Sequence, residues 1–391
     1  MKNNNNFTLH DSLLEQHNSY QLPLQWELNK KKLTGDYIAG FVQADGSFSA
    51  ILTRKTRGEK EYFNISLVFT IVQSQKYKDL ILETQKKFGG IGHWYLNKKD
   101  KSIRYQVTNQ SDLLNVIIPF FMKHQLRSGK LLSFLHFKYI VEVMSTRAHW
   151  NNKKILLSLI VVASHMNPLG KLGNKIKYLT PDEQKYVIDN VQPEGVDISK
   201  LTESIQNFKQ NKLTSEFIHG LFDGDGGLSV FFVKSSSSVR SQATGGRPKL
   251  SVGFSFTVVQ DSHNISLLNE IKSYFNDTGG IYEINKNCSV YKVGSKSALM
   301  SVILPKMVNK ESIGWVKDTQ GAIDFASSEL NLPLMKYNKI YYSWKILELL
   351  SEGLNKENMN EIIMLSYHVR QESDNITLEE YVEKVKQKYL L

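Results

Sequence analysis

The chain has 391 residues, 41% hydrophobic and 22% charged, an ordinary globular balance with material for a large core. Its 49 lysines and arginines against 38 acidic residues leave a net charge of +11, which favours a polyanionic partner, either nucleic acid or an anionic membrane. A single cysteine, Cys288, excludes an intrachain disulfide and a cysteine-based zinc site, and His124, His136, His149 and His165 form no HxxH or HxxxH pair.

Residues 1–32 form an N-terminal extension. Its opening, Met1 to Phe7, has neither the apolar core of a signal peptide nor the arginine-rich pattern of an import presequence. That points to the cytosol, or to synthesis inside the compartment of action. Residues 34–44 are apolar on most sides, the pattern of a buried helix, with Thr34 or Asp36 to cap its start and Gly46 to end it. Residues 47–53 and 62–73 read as strands joined by a polar turn. In the second strand, Phe63, Ile65, Leu67, Phe69 and Ile71 fall on one face; Asn64, Ser66, Val68, Thr70 and Val72 fall on the other. A helix follows over 75–88, then strands over 91–97 and 103–108, then helices over 111–123 and 130–144. Residues 155–163 read as a buried helix, far shorter than the roughly 18 to 20 apolar residues of a membrane span. The order αββαββα, then an extra helix, fits an antiparallel sheet with helices on one face and the other face exposed.

The same unit then recurs. Leu33-Thr34-Gly35-Asp36-Tyr37-Ile38-Ala39-Gly40-Phe41-Val42-Gln43-Ala44-Asp45-Gly46 is answered by Leu213-Thr214-Ser215-Glu216-Phe217-Ile218-His219-Gly220-Leu221-Phe222-Asp223-Gly224-Asp225-Gly226, at an offset of 225 − 45 = 180 residues. Phe69-Thr70-Ile71-Val72-Gln73 matches Phe256-Thr257-Val258-Val259-Gln260, and Gly89-Gly90-Ile91 matches Gly279-Gly280-Ile281. Each copy has the size of a domain, 33–200 and 201–391, and two copies imply a pseudo-two-fold assembly.

Both nonamers, Ile38 to Gly46 and Ile218 to Gly226, resemble the LAGLIDADG motif of the homing endonucleases, and the repeats cover roughly residues 33 to 391. Small residues Ala39, Gly40 and Ala44, facing Gly220 and Gly224, permit two such helices to pack closely and bring Asp45 and Asp225 together at their C-terminal ends. Adjacent carboxylates repel unless a cation lies between them. The resemblance implies an α+β fold of two pseudo-two-fold-related αββαββα repeats, whose antiparallel sheets form a DNA-binding saddle. It implies a monomer that cuts both strands of a long DNA site with magnesium. Asp45 and Asp225 are then the metal ligands, with Ala44 and Gly224 beside them. Gln73 and Gln260 order water around the nucleophile, and Lys130 and Lys336 are the active-site lysines. The earlier acidic position is Gln43 in one copy and Asp223 in the other, an asymmetry that suggests unequal rates.

A β-ribbon fits the DNA major groove, and hydroxyl, amide and guanidinium groups read base edges. In copy one the candidates are Ser49, Thr53, Lys55, Asn64, Ser66, Thr70, Tyr95, Asn97, Arg104 and Gln106. In copy two they are Ser229, Ser251, Ser255, Thr257, Asn285, Asn287 and Lys292, with Arg240, Arg247 and Lys249 in a basic loop. Two rivals stay open on these residues: an RNA maturase that assists splicing of its host intron RNA, and a DNA-binding relative without catalysis. The family's habit of residing in organelle introns places the protein in the mitochondrion, with the plastid as alternative; no membrane partner is expected.

Overall fold

The computed structural model describes residues 33–57, 60–150, 152–166, 179–190, 208–234, 250–308, 335–370 and 376–389. These form two compact units, residues 33–226 with 258–291, and residues 227–257 with 292–391. In chain order the first copy contains α1 (Gly35–Asp45), β1 (Gly46–Arg57), β2 (Lys60–Ser74), α2 (Lys78–Lys87), β3 (His93–Asn97), β4 (Ser102–Val107), α3 (110–123), α4 (Ser128–Ser145), α5 (Lys153–His165) and α6 (Pro181–Asn190). The second contains α7 (Ser215–Asp225), β5 (Gly226–Lys234), β6 (Leu250–Asp261), α8 (Ile265–Tyr274), β7 (Gly280–Asn285), β8 (Cys288–Val293), α9 (296–308), α10 (Tyr337–Ser351), α11 (Lys356–Val369) and α12 (Leu378–Tyr389). The expected αββαββα order is present in both.

Helix α1 carries seven consecutive buried residues, Tyr37 to Gln43, as an all-round apolar helix must. Thr34 caps it by accepting from the Tyr37 amide. At its other end Gly46 is extended, with φ of −91°, and its missing side chain leaves room for Val42. β1, β2, β4 and β3 then form an antiparallel sheet in that order. Its inner face is aromatic. Phe48 of β1 stacks on Phe69 at 5.2 Å and meets Phe121, Phe134 and Phe137 of α3 and α4 at 5.3 to 5.5 Å between centroids. Each of these five rings is at most 2% exposed, so α3 and α4 are held to the sheet by tightly interlocked rings. Helix α5 is likewise buried along Leu157 to Ala163. Among the described residues no helix is long and apolar enough to cross a membrane.

The second sheet has the order β5-β6-β8-β7. The second copy repeats local devices of the first. Phe88 stacks on Tyr105 and Phe275 on Tyr291, at 6.1 Å each. The Tyr105 hydroxyl donates to the Ile91 carbonyl at 2.9 Å, and that of Tyr291 to Thr278 at 2.6 Å. Among the described residues each copy has a π-helical turn at the matching place, Leu113–Ile117 and Leu299–Ile303. These pairs correct the sequence match at the glycines. Gly89 and Gly90, left-handed at φ of +76° and +77°, correspond to Asn276 and Asp277 at +54° and +55°, and Gly92 corresponds to Gly279. Asparagine and aspartate tolerate the left-handed helix end better than other side chains, so the geometry survives although the glycines do not. Helix 75–88 starts later than its sequence pattern, at Lys78, after a 3-10 turn over Gln75–Tyr77.

Candidate functional site

Helices α1 and α7 lie in one compact unit and pack against each other through backbone. A Cβ built on Gly40 would strike the carbonyl oxygen of Phe217, and one on Gly220 would strike that of Tyr37. Around this crossing several buried polar groups have partners. The Tyr37 hydroxyl donates to Asp223 Oδ2 at 2.6 Å, and Gln43 Oε1 accepts from the Arg127 amide at 2.8 Å. Arg127, itself buried, pairs with Glu270 at 3.4 Å and lies 5.7 Å from the centre of the Phe217 ring. Burial holds the Glu270 carboxyl above the usual range, and Arg127 draws it partly back. At the helix starts, Asp36 accepts from Thr214 at 3.1 Å and meets His124 Nδ1 at 2.6 Å.

At the other end of the pair stand two aspartates. The Asp45 carboxylate lies beside the α carbon of Gly224, close enough that a Cβ there would sit 2.9 Å from Asp45 Oδ2 and against the Ala44 side chain. Asp225 follows directly in the chain. Each carboxylate is held by the glutamine that ends the neighbouring strand: Gln73 Nε2 donates to Asp45 Oδ2 at 2.9 Å, and Gln260 Nε2 to Asp225 Oδ2 at 2.5 Å. Lys130 Nζ donates to the Gly46 carbonyl at 2.5 Å. Burial pushes its ammonium below the usual lysine range, while Asp225, Asp45 and Asp261 draw it back up. A cleft of about 280 Å³ opens here, lined among others by Ala44, Ser47, Lys130, Asp225, Gln260 and Asn264.

Magnesium keeps several waters and takes one or two carboxylates plus phosphate oxygens. The donor set of two carboxylates at one helix-pair end fits such an ion. Ala44 and Gly224 have no side-chain ligand atom, so only their backbone carbonyls could join. Among the described residues no cluster of three or more histidine, cysteine, aspartate or glutamate side chains forms a closed metal cage.

The strand register gathers the groove-reading candidates of copy one. Opposed residues in antiparallel strands share a face. Pairing Ser49 with Val68, Ile51 with Ser66 and Thr53 with Asn64 puts these three β1 residues on one side. Thr70 opposes Gln106, which opposes His93, and Arg104 opposes Tyr95. The Tyr95 hydroxyl donates to Gln106, whose amide donates to Thr70 at 3.3 Å, linking three strands across this face. Val72 shares the face, as its alternation in β2 predicts, and so do His93 and Ile51, which the sequence reading did not include.

A family model described as LAGLIDADG endonuclease matches residues 38–141 and 218–314, just over half of the chain. The chain belongs to the LAGLIDADG endonuclease family. This LAGLIDADG chain is 26% identical over 273 residues to a probable intron-encoded DNA endonuclease 1 of Mycosarcoma maydis, spanning 69% of the chain and 90% of that protein. It is 26% identical over 250 residues to a probable intron-encoded endonuclease 2 of Neurospora crassa, spanning 62% of the chain and 48% of that protein. In fold it is similar to the I-SmaMI LAGLIDADG homing endonuclease bound to cleaved DNA, with TM-score 0.64 and 20% identity over 87% of this chain and 97% of that one. It is similar also to the I-LtrWI LAGLIDADG homing endonuclease bound to target DNA, with TM-score 0.65 and 20% identity over 86% and 97%.

The motif position that differs between the copies of this LAGLIDADG chain serves the core in both. Gln43 and Asp223 are 2% and 1% exposed; Asp223 accepts from the Tyr37 hydroxyl across the helix pair, and Gln43 accepts from the Arg127 amide just before α4. Several predicted base readers are engaged in turns. Asn97 donates to Asp100 and accepts from the Lys99 amide, and Asn285 accepts from the Asn287 amide. Ser251 donates to the Val233 carbonyl, and Thr257 to that of Gly227. Ser229, Lys292 and Arg104 are exposed and Ser255 half-buried. Lys336 is buried at the residue before α10. The side chain of Lys55 and all of Arg240, Arg247 and Lys249 lie outside the described residues.

Proposed function

We propose that this chain is a site-specific DNA endonuclease that hydrolyses one phosphodiester in each strand of a long duplex site, acts as a monomer, and uses magnesium. The observation that carries it is the paired end of α1 and α7, where Asp45 and Asp225 each take an amide hydrogen bond from Gln73 or Gln260. Those amide donors leave the remaining carboxylate lone pairs as acceptors for a cation. Asp45 and Asp225 would hold the metal, with the carbonyls of Ala44 and Gly224 as neighbours. When bound, the ion supplies a hydroxide near neutral pH and neutralises charge on the phosphate. Lys130 places a cation where negative charge grows on the scissile phosphate. The outward face of β1, β2, β4 and β3, together with exposed Ser229 and Lys292, contacts the DNA. The repeats 33–200 and 201–391 each serve one half of the target. The intron-encoded fungal relatives support an intron-borne gene acting in the mitochondrion, which sequencing of the surrounding organellar DNA checks.

The test is cleavage of duplex DNA spanning the uninterrupted insertion site, with magnesium and with EDTA. Wild type yields linear product only with metal. Asp45→Asn or Asp225→Asn loses double-strand cutting, by about a hundredfold or more for loss of a directly stabilising group, and keeps DNA binding in a gel-shift assay. Full cutting by either variant overturns the metal assignment.

A further inference from the structure

The two glutamines that hold the aspartates are oriented by different means. A glutamine amide is nearly symmetric in shape, and what its far end meets decides whether nitrogen or oxygen faces the carboxylate. In copy one that partner is backbone: Gln73 Oε1 accepts from the Ser74 amide at 2.7 Å, which turns Nε2 toward Asp45. In copy two a side chain intervenes. The Gly129 amide at the start of α4 donates to Asn264 Oδ1 at 2.9 Å, Asn264 Nδ2 donates to Gln260 Oε1 at 3.3 Å, and Gln260 Nε2 donates to Asp225 Oδ2. A backbone N–H can only donate, so it fixes the sense of every bond in the chain. Asn264 and Gln260 are 6% and 5% exposed, which removes water as a competing partner. Gly129 has no side chain where a Cβ would lie 2.7 Å from Asn264 Oδ1 and 2.6 Å from the His263 ring, so α4 can approach this closely. The corresponding residue of copy one, Tyr77, has no amide to offer.

We propose that Asn264 is a positioning residue for the cleavage reaction, acting through Gln260 to present an amide N–H to Asp225, so that only the copy-two centre depends on a side-chain relay. The inference rests on the endonuclease reading above. Asn264→Asp is the discriminating change. It keeps the acceptor for Gly129, but its second oxygen demands a donor, which reverses Gln260 and turns Oε1 against the Asp225 carboxylate.

The experiment uses the full chain and a supercoiled plasmid carrying the insertion-site duplex, with each strand's cutting followed separately. Wild type, Asn264→Asp, Asn264→Ala, Gln260→Ala and the Asn264→Asp/Gln260→Ala double variant are compared. Asn264→Asp is expected to slow one strand roughly tenfold or more, the scale of a lost hydrogen bond to a charged group, so that nicked circles accumulate. DNA binding in EDTA stays at the wild-type level, and the double variant cuts no more slowly than Gln260→Ala alone, because the two act in series. Wild-type rates on both strands, equal slowing of both, or additive losses in the double variant would overturn the proposal. Should Asn264→Ala fail to fold, Asn264→Asp retains the bond to α4 and decides the matter. A wild type that cuts neither strand removes the endonuclease reading and this inference together, whereas a cutting wild type with an unaffected Asn264→Asp removes only the inference.

Discussion

Single residues here act through what they are tied to. His136 illustrates this outside the cleft. It is buried on α4, bonded through Nδ1 to the Leu132 carbonyl at 2.6 Å and stacked on His165 at 6.0 Å. Burial depresses its pKa below the ordinary 6.5, and the nearby His165 adds to the depression. The fold therefore favours the neutral ring. Its stabilisation is full above the unfolded value and drains away as pH falls through the depressed folded one. The melting temperature is expected to fall on acidification below about pH 6.5, and His136→Gln should flatten that part of the pH profile. An equally steep profile in the variant, measured by circular dichroism melts, would assign the acid sensitivity elsewhere.

At the scale of elements, the α1–α7 crossing is the most constrained contact in its unit. Gly40 and Gly220 each meet a carbonyl oxygen of the opposite helix, and backbone cannot rotate away as a side chain can. Gly220→Ala should therefore cost about 1–3 kcal/mol or more by overpacking, despite alanine's better helix propensity. It should also part the helix ends that carry Asp45 and Asp225. Thermal denaturation together with cleavage checks both effects, and an unchanged melting temperature would contradict the close approach. The first sheet is constrained differently: its inner face is fixed by ring packing around Phe48, while the outer face of β1 keeps Ile51 at 49% exposure. An apolar group on an outward strand suits contact with a thymine methyl.

For the whole molecule the relevant quantity is charge. At +11, binding to duplex DNA should weaken steeply with salt, the logarithm of affinity falling by roughly 0.9 per neutralised phosphate for each unit of log salt. A flat salt response in a fluorescence-anisotropy titration would remove the phosphate contacts from the binding reaction. Family membership rests on the family-model matches over residues 38–141 and 218–314, and the fold similarity extends along most of the chain.

Local pattern was legible because its causes are local. The period of two in β2, the all-round apolar α1 and the doubled Asp-Gly helix ends each follow from a few adjacent residues, and the duplication made one nonamer corroborate the other. Small residues at 39, 40, 44, 220 and 224 announced a close helix crossing before its geometry was known. What the sequence left open were contacts between residues far apart in the chain, whose partners no period or motif specifies. Gln43 and Asp223 look like variants of an acidic position, but the Arg127 amide before α4 and the Tyr37 hydroxyl across the crossing make them core acceptors. Asn97 and Asn285, candidate base readers, also hydrogen-bond within the turns they sit in, contacts that no sequence pattern specifies. Asn264 looked like any polar residue after a strand. Only packing brought it to Gly129, 135 residues away, because a hydrogen bond's direction is set by the partner that tertiary structure supplies.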